Sequence, residues 1–237
     1  MTSSNPIFVA LDVPTAEQAL ALARQLAPVV GGFKVGAELF TAAGPAIVRE
    51  LRALGAEVFL DLKYHDIPNT VARAVAAAVR LGVGMLTIHT SGGLAMMQAA
   101  EEAARATSLQ AGQDRVPLVL GVTVLTSMDT QELARVGVGA SVGHQVERLA
   151  TLAKEAGLRG LVCSPLELAM LRTLLPRNFQ LVTPGIRGPE DALGDQKRVL
   201  SAREAMDAGA NYLVIGRPIC AAPDPRAAAE KILSSLS

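Results

Sequence analysis

The sequence predicts a single α/β domain over residues 1–237, a (β/α)8 TIM barrel. Three observations predict it. Eight short runs rich in β-branched and aliphatic residues recur along the chain, at 7–12, 32–35, 57–62, 85–89, 117–122, 160–163, 180–183 and 212–215. Most are continuously apolar rather than alternating, as strands of a parallel sheet covered outside by helices should be. Between them lie Ala-, Leu-, Arg- and Glu-rich segments of helical period, with no linker or break in composition, and 237 residues is an ordinary length for one barrel. A doubly wound open sheet is the alternative that the same strand and helix alternation allows.

Taken in order, the first strand runs to Asp12. Thr15 can cap the helix after it, with Gln18 three positions on as the partner in a capping box, and Gly31 and Gly32 lie beyond its end. The second strand carries Lys34. Later helices close at Gly55, Gly82, Gly157 and Gly209, each standing before the next strand where a left-handed residue is wanted. The third strand leads into Asp61-Leu62-Lys63-Tyr64-His65-Asp66, and the fourth ends at His89. Residues 107–116 are polar enough to form an excursion before the fifth strand, which leads to Thr126. The seventh leads to Thr183-Pro184-Gly185-Ile186-Arg187 and the eighth to Gly216-Arg217.

Composition excludes several function classes. Half of the residues are apolar, but only 3% are aromatic and there is no Trp, so a nucleic-acid surface of stacking aromatics is not expected. Lys and Arg total 22, as do Asp and Glu, and a formal charge of zero provides no global field toward nucleic acid or an anionic membrane. Cys163 and Cys220 stand in apolar stretches without metal-ligand or redox spacing, which suits a reducing compartment. The first apolar run is stopped by Asp12 and Pro14 and has no basic segment before it, unlike a signal peptide. The longest stretch without Asp, Glu, Lys or Arg, 81–100, is broken by glycines, His89, Ser91 and Gln98. A cytoplasmic protein with no membrane or nucleic-acid partner is expected.

In either α/β architecture the reacting groups belong at the carboxyl ends of the strands, and that is where the charges gather here. A solvated rim is the bland reading. Asp61 and Lys63 are two apart on a strand and therefore face the same way, so both can face one reacting atom. An ammonium beside a carboxylate reads as a proton donor rather than a Schiff-base amine, and Lys34 on the neighbouring strand can extend the network. Gly216-Arg217 reads as a phosphate grip, with backbone approach from the glycine and charge-assisted donors from the arginine. The glycine-containing stretch 185–196 is long for a loop in this position and suggests a lid carrying Arg187 and Gln196. His65 and His89 lack metal-ligand spacing and read as structural hydrogen-bonding residues; Met96, Met97, Met170 and Met206 read as packing residues.

The blocks Asp61-Leu-Lys63-Tyr-His65-Asp66-Ile67-Pro68-Asn69-Thr70, Thr183-Pro-Gly-Ile-Arg187, Asp195-Gln196-Lys-Arg and Ile215-Gly216-Arg217-Pro occur in this order. Together they resemble the bacterial orotidine 5'-phosphate decarboxylase family, from Leu11-Asp12 to Gly216-Arg217. The resemblance implies decarboxylation of orotidine 5'-monophosphate to UMP in de novo pyrimidine synthesis, with no cofactor and no metal. By the same resemblance Lys63 protonates the carbon that loses carbon dioxide, while Asp61 crowds the departing carboxylate and holds Lys63. Asp66, Ile67 and Thr70 enter from the other subunit of a homodimer, Asp66 completing a Lys34-Asp61-Lys63-Asp66 charge array. Asp12 and Lys34 hold ribose hydroxyls and Thr126 the pyrimidine edge. Pro184, Arg187, Gln196, Gly216 and Arg217 complete the substrate site, the last four at the phosphate and closed lid. Two rivals share the general pattern: a metal-dependent sugar-phosphate barrel of the hexulose-phosphate synthase or keto-gulonate-phosphate decarboxylase type, and a non-catalytic phosphosugar or nucleotide sensor.

Overall fold

A computed structural model describes residues 5–188 and 199–236. Strand β1 (Ile7–Ala10) is followed by α1 (Ala16–Leu26), and β2 (Gly32–Gly36) by α2 (Ala37–Ala43) and α3 (Ala46–Ala53). Next come β3 (Val58–Tyr64), α4 (Pro68–Arg80), β4 (Met85–His89) and α5 (Leu94–Gln110). Strand β5 (Leu118–Val122) precedes α6 (Thr130–Arg135) and α7 (Val142–Glu155), and β6 (Gly160–Val162) precedes α8 (Leu168–Leu174). The chain ends with β7 (Gln180–Thr183), α9 (Ala202–Asp207), β8 (Tyr212–Ile215), α10 (Arg217–Cys220) and α11 (Pro225–Ser234).

The eight strands pair in sequence order and all in parallel, and β8 closes on β1 through Ile7↔Leu213, Phe8↔Val214 and Val9↔Ile215. That closure removes the open-sheet alternative. Each expected strand is present, with shifted ends: β1 stops at Ala10, so Asp12 lies just beyond it, and β3 continues to Tyr64. The polar segment 107–116 is only partly an excursion. Helix α5 runs through Gln110, and Thr107 and Ser108 are buried in its last turns.

Local signals account for the element ends. Thr15 Oγ1 accepts the Gln18 N–H at 3.3 Å, which is one half of the expected capping box; among the described residues the exposed Gln18 side chain makes no return bond to the cap. Gly55, Gly82, Gly157 and Gly209 have φ of 78°, 80°, 81° and 107°, so each terminates its helix in a conformation that a Cβ disfavours.

Strand alternation sorts the interior into two cores. Ile7, Val9, Phe33, Val35, Val58, Leu60, Leu86 and Ile88 point outward and pack beneath the helices. Phe8, Phe59, Met85, Leu120, Val182 and Val214 point inward and plug the barrel. The Phe8 ring meets those of Phe59 and Tyr212 edge to face, with centroids 6.4 Å and 5.6 Å apart. Gly32 makes room for this plug, because a Cβ there would stand 2.5 Å from the Phe8 ring. Each large apolar side chain so buried contributes on the order of 1.5–3 kcal/mol. Two residues up β2, β3 and β4 the interior changes character: Phe59 is followed by Asp61, Gly32 by Lys34 and Met85 by Thr87. An apolar plug thus carries a charged floor at the carboxyl end of the barrel.

Candidate active site

Above that floor lies a cavity of about 670 Å³, lined by residues at or just beyond the carboxyl ends of β1, β3, β5, β6, β7 and β8 and by Lys34 of β2. The volume suits a small-molecule ligand. A wider recess of about 890 Å³ occupies the opposite mouth and is lined by helix-to-strand turns such as those at Gly82, Gly112 and Phe179. Barrels place their chemistry at the carboxyl ends of the strands, and the opposed charges converge there, so the smaller cavity is the candidate site.

Four charges of alternating sign cross its floor. Lys34 Nζ lies 2.9 Å from Asp12 Oδ1 and 3.8 Å from Asp61 Oδ2. Lys63 Nζ donates to both Asp61 carboxylate oxygens at 2.9 Å. The Lys34 and Asp61 side chains are only 10% and 14% exposed, so neither ion is held by water and each depends on its neighbours of opposite sign. Lys63 is 35% exposed and presents its ammonium to the cavity. Gly36 is a condition of this geometry: a Cβ there would sit 2.9 Å from Lys34 Nζ and 3.2 Å from Asp12 Oδ1.

Asp61 and Lys63 do face one another, but by a different route from regular alternation. Pairing between β3 and β4 shifts register between Leu60 and Tyr64. Lys63 has φ of 50°, the only positive value at a non-glycine among the described residues. Such a conformation costs roughly 1–3 kcal/mol, so surrounding contacts must hold it. Thr87 on β4 does so: its Oγ1 accepts the Lys63 N–H at 2.9 Å and donates to Asp61 Oδ1 at 3.0 Å. Sequence reasoning missed Thr87. The available signal was a hydroxyl between the apolar Leu86 and Ile88 in the middle of a strand.

Asp66, Ile67 and Thr70 stand apart from this array within the chain. All three are exposed, Ile67 at 66%, and Asp66 Oδ1 accepts the Ile67 N–H at 2.6 Å. Asp66 makes no ion pair with Lys34 or Lys63 among the described residues. The array one chain assembles is therefore Asp12-Lys34-Asp61-Lys63. Thr126, Pro184, Arg187, Gly216 and Arg217 all line the cavity. Arg187 is buried, donating to the Ile186 carbonyl at 2.7 Å, and Arg217 is exposed at the rim. Gln196 lies outside the described residues.

His65 and His89 make no side-chain hydrogen bond among the described residues, contrary to expectation. Their rings instead lie 5.5 Å apart beside the site. Burial, with His65 and Lys63 adding and Asp61 opposing, holds the His89 imidazole below its usual value, so it adds no second positive charge near Lys63 at neutral pH. Met96 and Met97 are fully buried, and Met170 and Met206 pack against the core, as packing residues should. Among the described residues no group of three or more His, Cys, Asp or Glu side chains could hold a metal ion, and no helix is long and apolar enough to cross a membrane.

Cys220 lines the cavity and donates from Sγ to the Ala10 carbonyl at 3.4 Å. Burial, reinforced by Asp12 and opposed by Lys34, pushes its thiol up to about 11. At pH 7.5 well under about one thiol in a thousand is then thiolate. Iodoacetamide at that pH should therefore leave the native protein unmodified over an hour. Stoichiometric labelling within minutes, read by intact mass, would contradict this reading of the thiol.

A sequence profile described as the orotidine 5'-phosphate decarboxylase / HUMPS family matches residues 5–232. An orotidine 5'-phosphate decarboxylase of Nitrosococcus oceani is 54% identical over 231 residues, covering 98% of this chain and 97% of that protein. The enzyme of that name from Alcanivorax borkumensis is 52% identical over 237 residues and the full length of both. The crystal structure of orotidine 5'-phosphate decarboxylase from Lactobacillus acidophilus superposes with a TM-score of 0.85 at 36% identity, covering 98% of this chain and 99% of that one.

Proposed function

Since the chain belongs to the orotidine 5'-phosphate decarboxylase / HUMPS family, we propose that it converts orotidine 5'-monophosphate to UMP, with Lys63 as the proton donor. The observation that carries this reading is the ammonium of Lys63, fixed at 2.9 Å on the Asp61 carboxylate at the cavity floor. The bond from the pyrimidine ring to its carboxylate breaks, its electron pair stays on the ring carbon, and carbon dioxide leaves. A proton from Lys63 Nζ then takes the vacated position, and the amine is reprotonated from solvent. A fixed positive charge stabilises the carbanion-like centre as it forms, with no reorganisation at the moment of reaction.

The remaining residues bind and orient. Asp12 and Lys34 hold the ribose hydroxyls, Thr126 the pyrimidine edge, and Pro184 forms part of the wall. Arg187, Gln196, Gly216 and Arg217 take the phosphate; its binding energy closes the lid, excludes water and strengthens the field around Lys63. Asp61 crowds the departing carboxylate. Asp66, Ile67 and Thr70 serve the site of the other subunit in a homodimer, where Asp66 extends the array beyond Lys63. The reaction belongs to cytoplasmic pyrimidine synthesis and uses neither metal nor cofactor.

The test is loss of orotate absorbance when purified protein meets orotidine 5'-monophosphate after exhaustive chelation. Full turnover is expected, because proton donation by an ammonium contains no Lewis-acid step. Turnover abolished by the chelator and restored by magnesium would favour the hexulose-phosphate branch. Binding of UMP without turnover would favour a sensor.

A further inference from the structure

We propose that Thr87 is a positioning residue for the reaction, fixing the proton donor by closing a ring of hydrogen bonds through Asp61. The inference rests on the reading of Lys63 as that donor. A hydroxyl has one proton to give and two lone pairs to receive with. A backbone N–H only donates and a carboxylate oxygen only accepts, so the direction of both Thr87 bonds is forced. The Lys63 N–H donates to Thr87 Oγ1 at 2.9 Å, and Thr87 Oγ1 donates to Asp61 Oδ1 at 3.0 Å. Lys63 Nζ returns to the same oxygen at 2.9 Å. One carboxylate thus holds the lysine at both ends, directly at the ammonium and through Thr87 at the backbone.

The ring matters because the backbone it clamps is strained. Lys63 has φ of 50°, at the register shift that separates Leu60 from Tyr64 in the pairing of β3 with β4. There its N–H bonds a side chain rather than a strand carbonyl. Thr87 itself cannot drift: it is fully buried, and its own backbone stays in register with Leu120 of β5. Without the hydroxyl, the N–H and the carboxylate oxygen both lose a partner where water does not readily replace it. The Lys63 backbone is then free to relax toward an ordinary extended conformation, which moves Nζ relative to the substrate carbon. An error of about 1 Å at a reacting atom is enough to cost roughly 100-fold in rate.

The experiment compares Thr87→Val, which keeps the shape without the hydroxyl, with Thr87→Ser, which keeps the hydroxyl. Both are assayed for kcat, KM, UMP affinity and Tm alongside Lys63→Ala. Thr87→Val should lower kcat by roughly 10- to 100-fold, with KM and UMP affinity within about threefold of wild type. Thr87→Ser should restore kcat to within about threefold. The split is the decisive readout, since a merely structural threonine would move Tm without separating kcat from UMP binding. Wild-type kcat in Thr87→Val, a loss shared equally by kcat and UMP binding, or a serine no better than valine would overturn the inference. Should Thr87→Val fail to fold, Thr87→Cys decides: its weak sulfhydryl should give a kcat clearly below that of Thr87→Ser, and equality of the two overturns the role. Turnover retained by Lys63→Ala overturns the donor reading and this inference together. A dead Lys63→Ala beside a fully active Thr87→Val overturns this inference alone.

Discussion

Lys63→Ala is expected to lower kcat by about four orders of magnitude or more, equivalent to roughly 5 kcal/mol of transition-state stabilisation, while UMP binding stays measurable. The product carries no developing negative charge at the reacting carbon, so it gains little from the ammonium that the transition state needs. The fold should tolerate the change. Asp61 keeps the Thr87 hydroxyl at 3.0 Å and the Lys34 ammonium at 3.8 Å, so its carboxylate is not left buried without a counter-charge. A Tm within a few degrees of wild type separates lost chemistry from lost structure. Arg217→Ala supplies the contrast: Arg217 stands exposed at the cavity rim, and its loss should appear chiefly as a raised KM. Similar, modest losses in both parameters for the two variants would refute the assigned roles.

Complementation between two inactive chains is the second large effect. Lys63→Ala and Asp66→Ala should each be inactive alone and should regain activity when mixed under conditions that let subunits exchange. In a heterodimer with composite sites, one site collects both lesions and the other collects none, so activity per heterodimer should recover toward half that of wild type. The geometry of the single chain motivates this. Pro68 at the first helical position of α4 and the exposed Ile67 before it carry the path away from the cavity. Asp66 is thereby left facing solvent rather than Lys63. An apolar side chain 66% exposed beside a charged site suits a partner surface better than water. Verified heterodimers that remain inactive, or a dilute monomer with full activity, would show that Asp66 serves its own chain.

Much of this protein was legible in the sequence because the deciding signals are local. Continuous apolar runs of strand length, helical periodicity between them, Thr15 at a cap and glycines at helix ends each depend on residues a few positions apart. The same holds for the charged groups at strand ends, since any parallel barrel directs those positions to one mouth. Closure of the sheet was different in kind, resting on pairing between β1 and β8 at opposite ends of the chain. The finer chemistry of the floor was also decided in three dimensions. Asp12 meets Lys34 across two strands, Gly36 is needed because a Cβ would strike that pair, and Thr87 reaches Asp61 and Lys63 from β4. Even the facing of Asp61 and Lys63, which strand alternation predicts, is achieved through a register shift and a left-handed backbone. A periodic pattern records which side of its own strand a residue occupies. It carries no record of which distant hydroxyl, carboxylate or ammonium will stand opposite, because that depends on how the strands are staggered around the closed barrel.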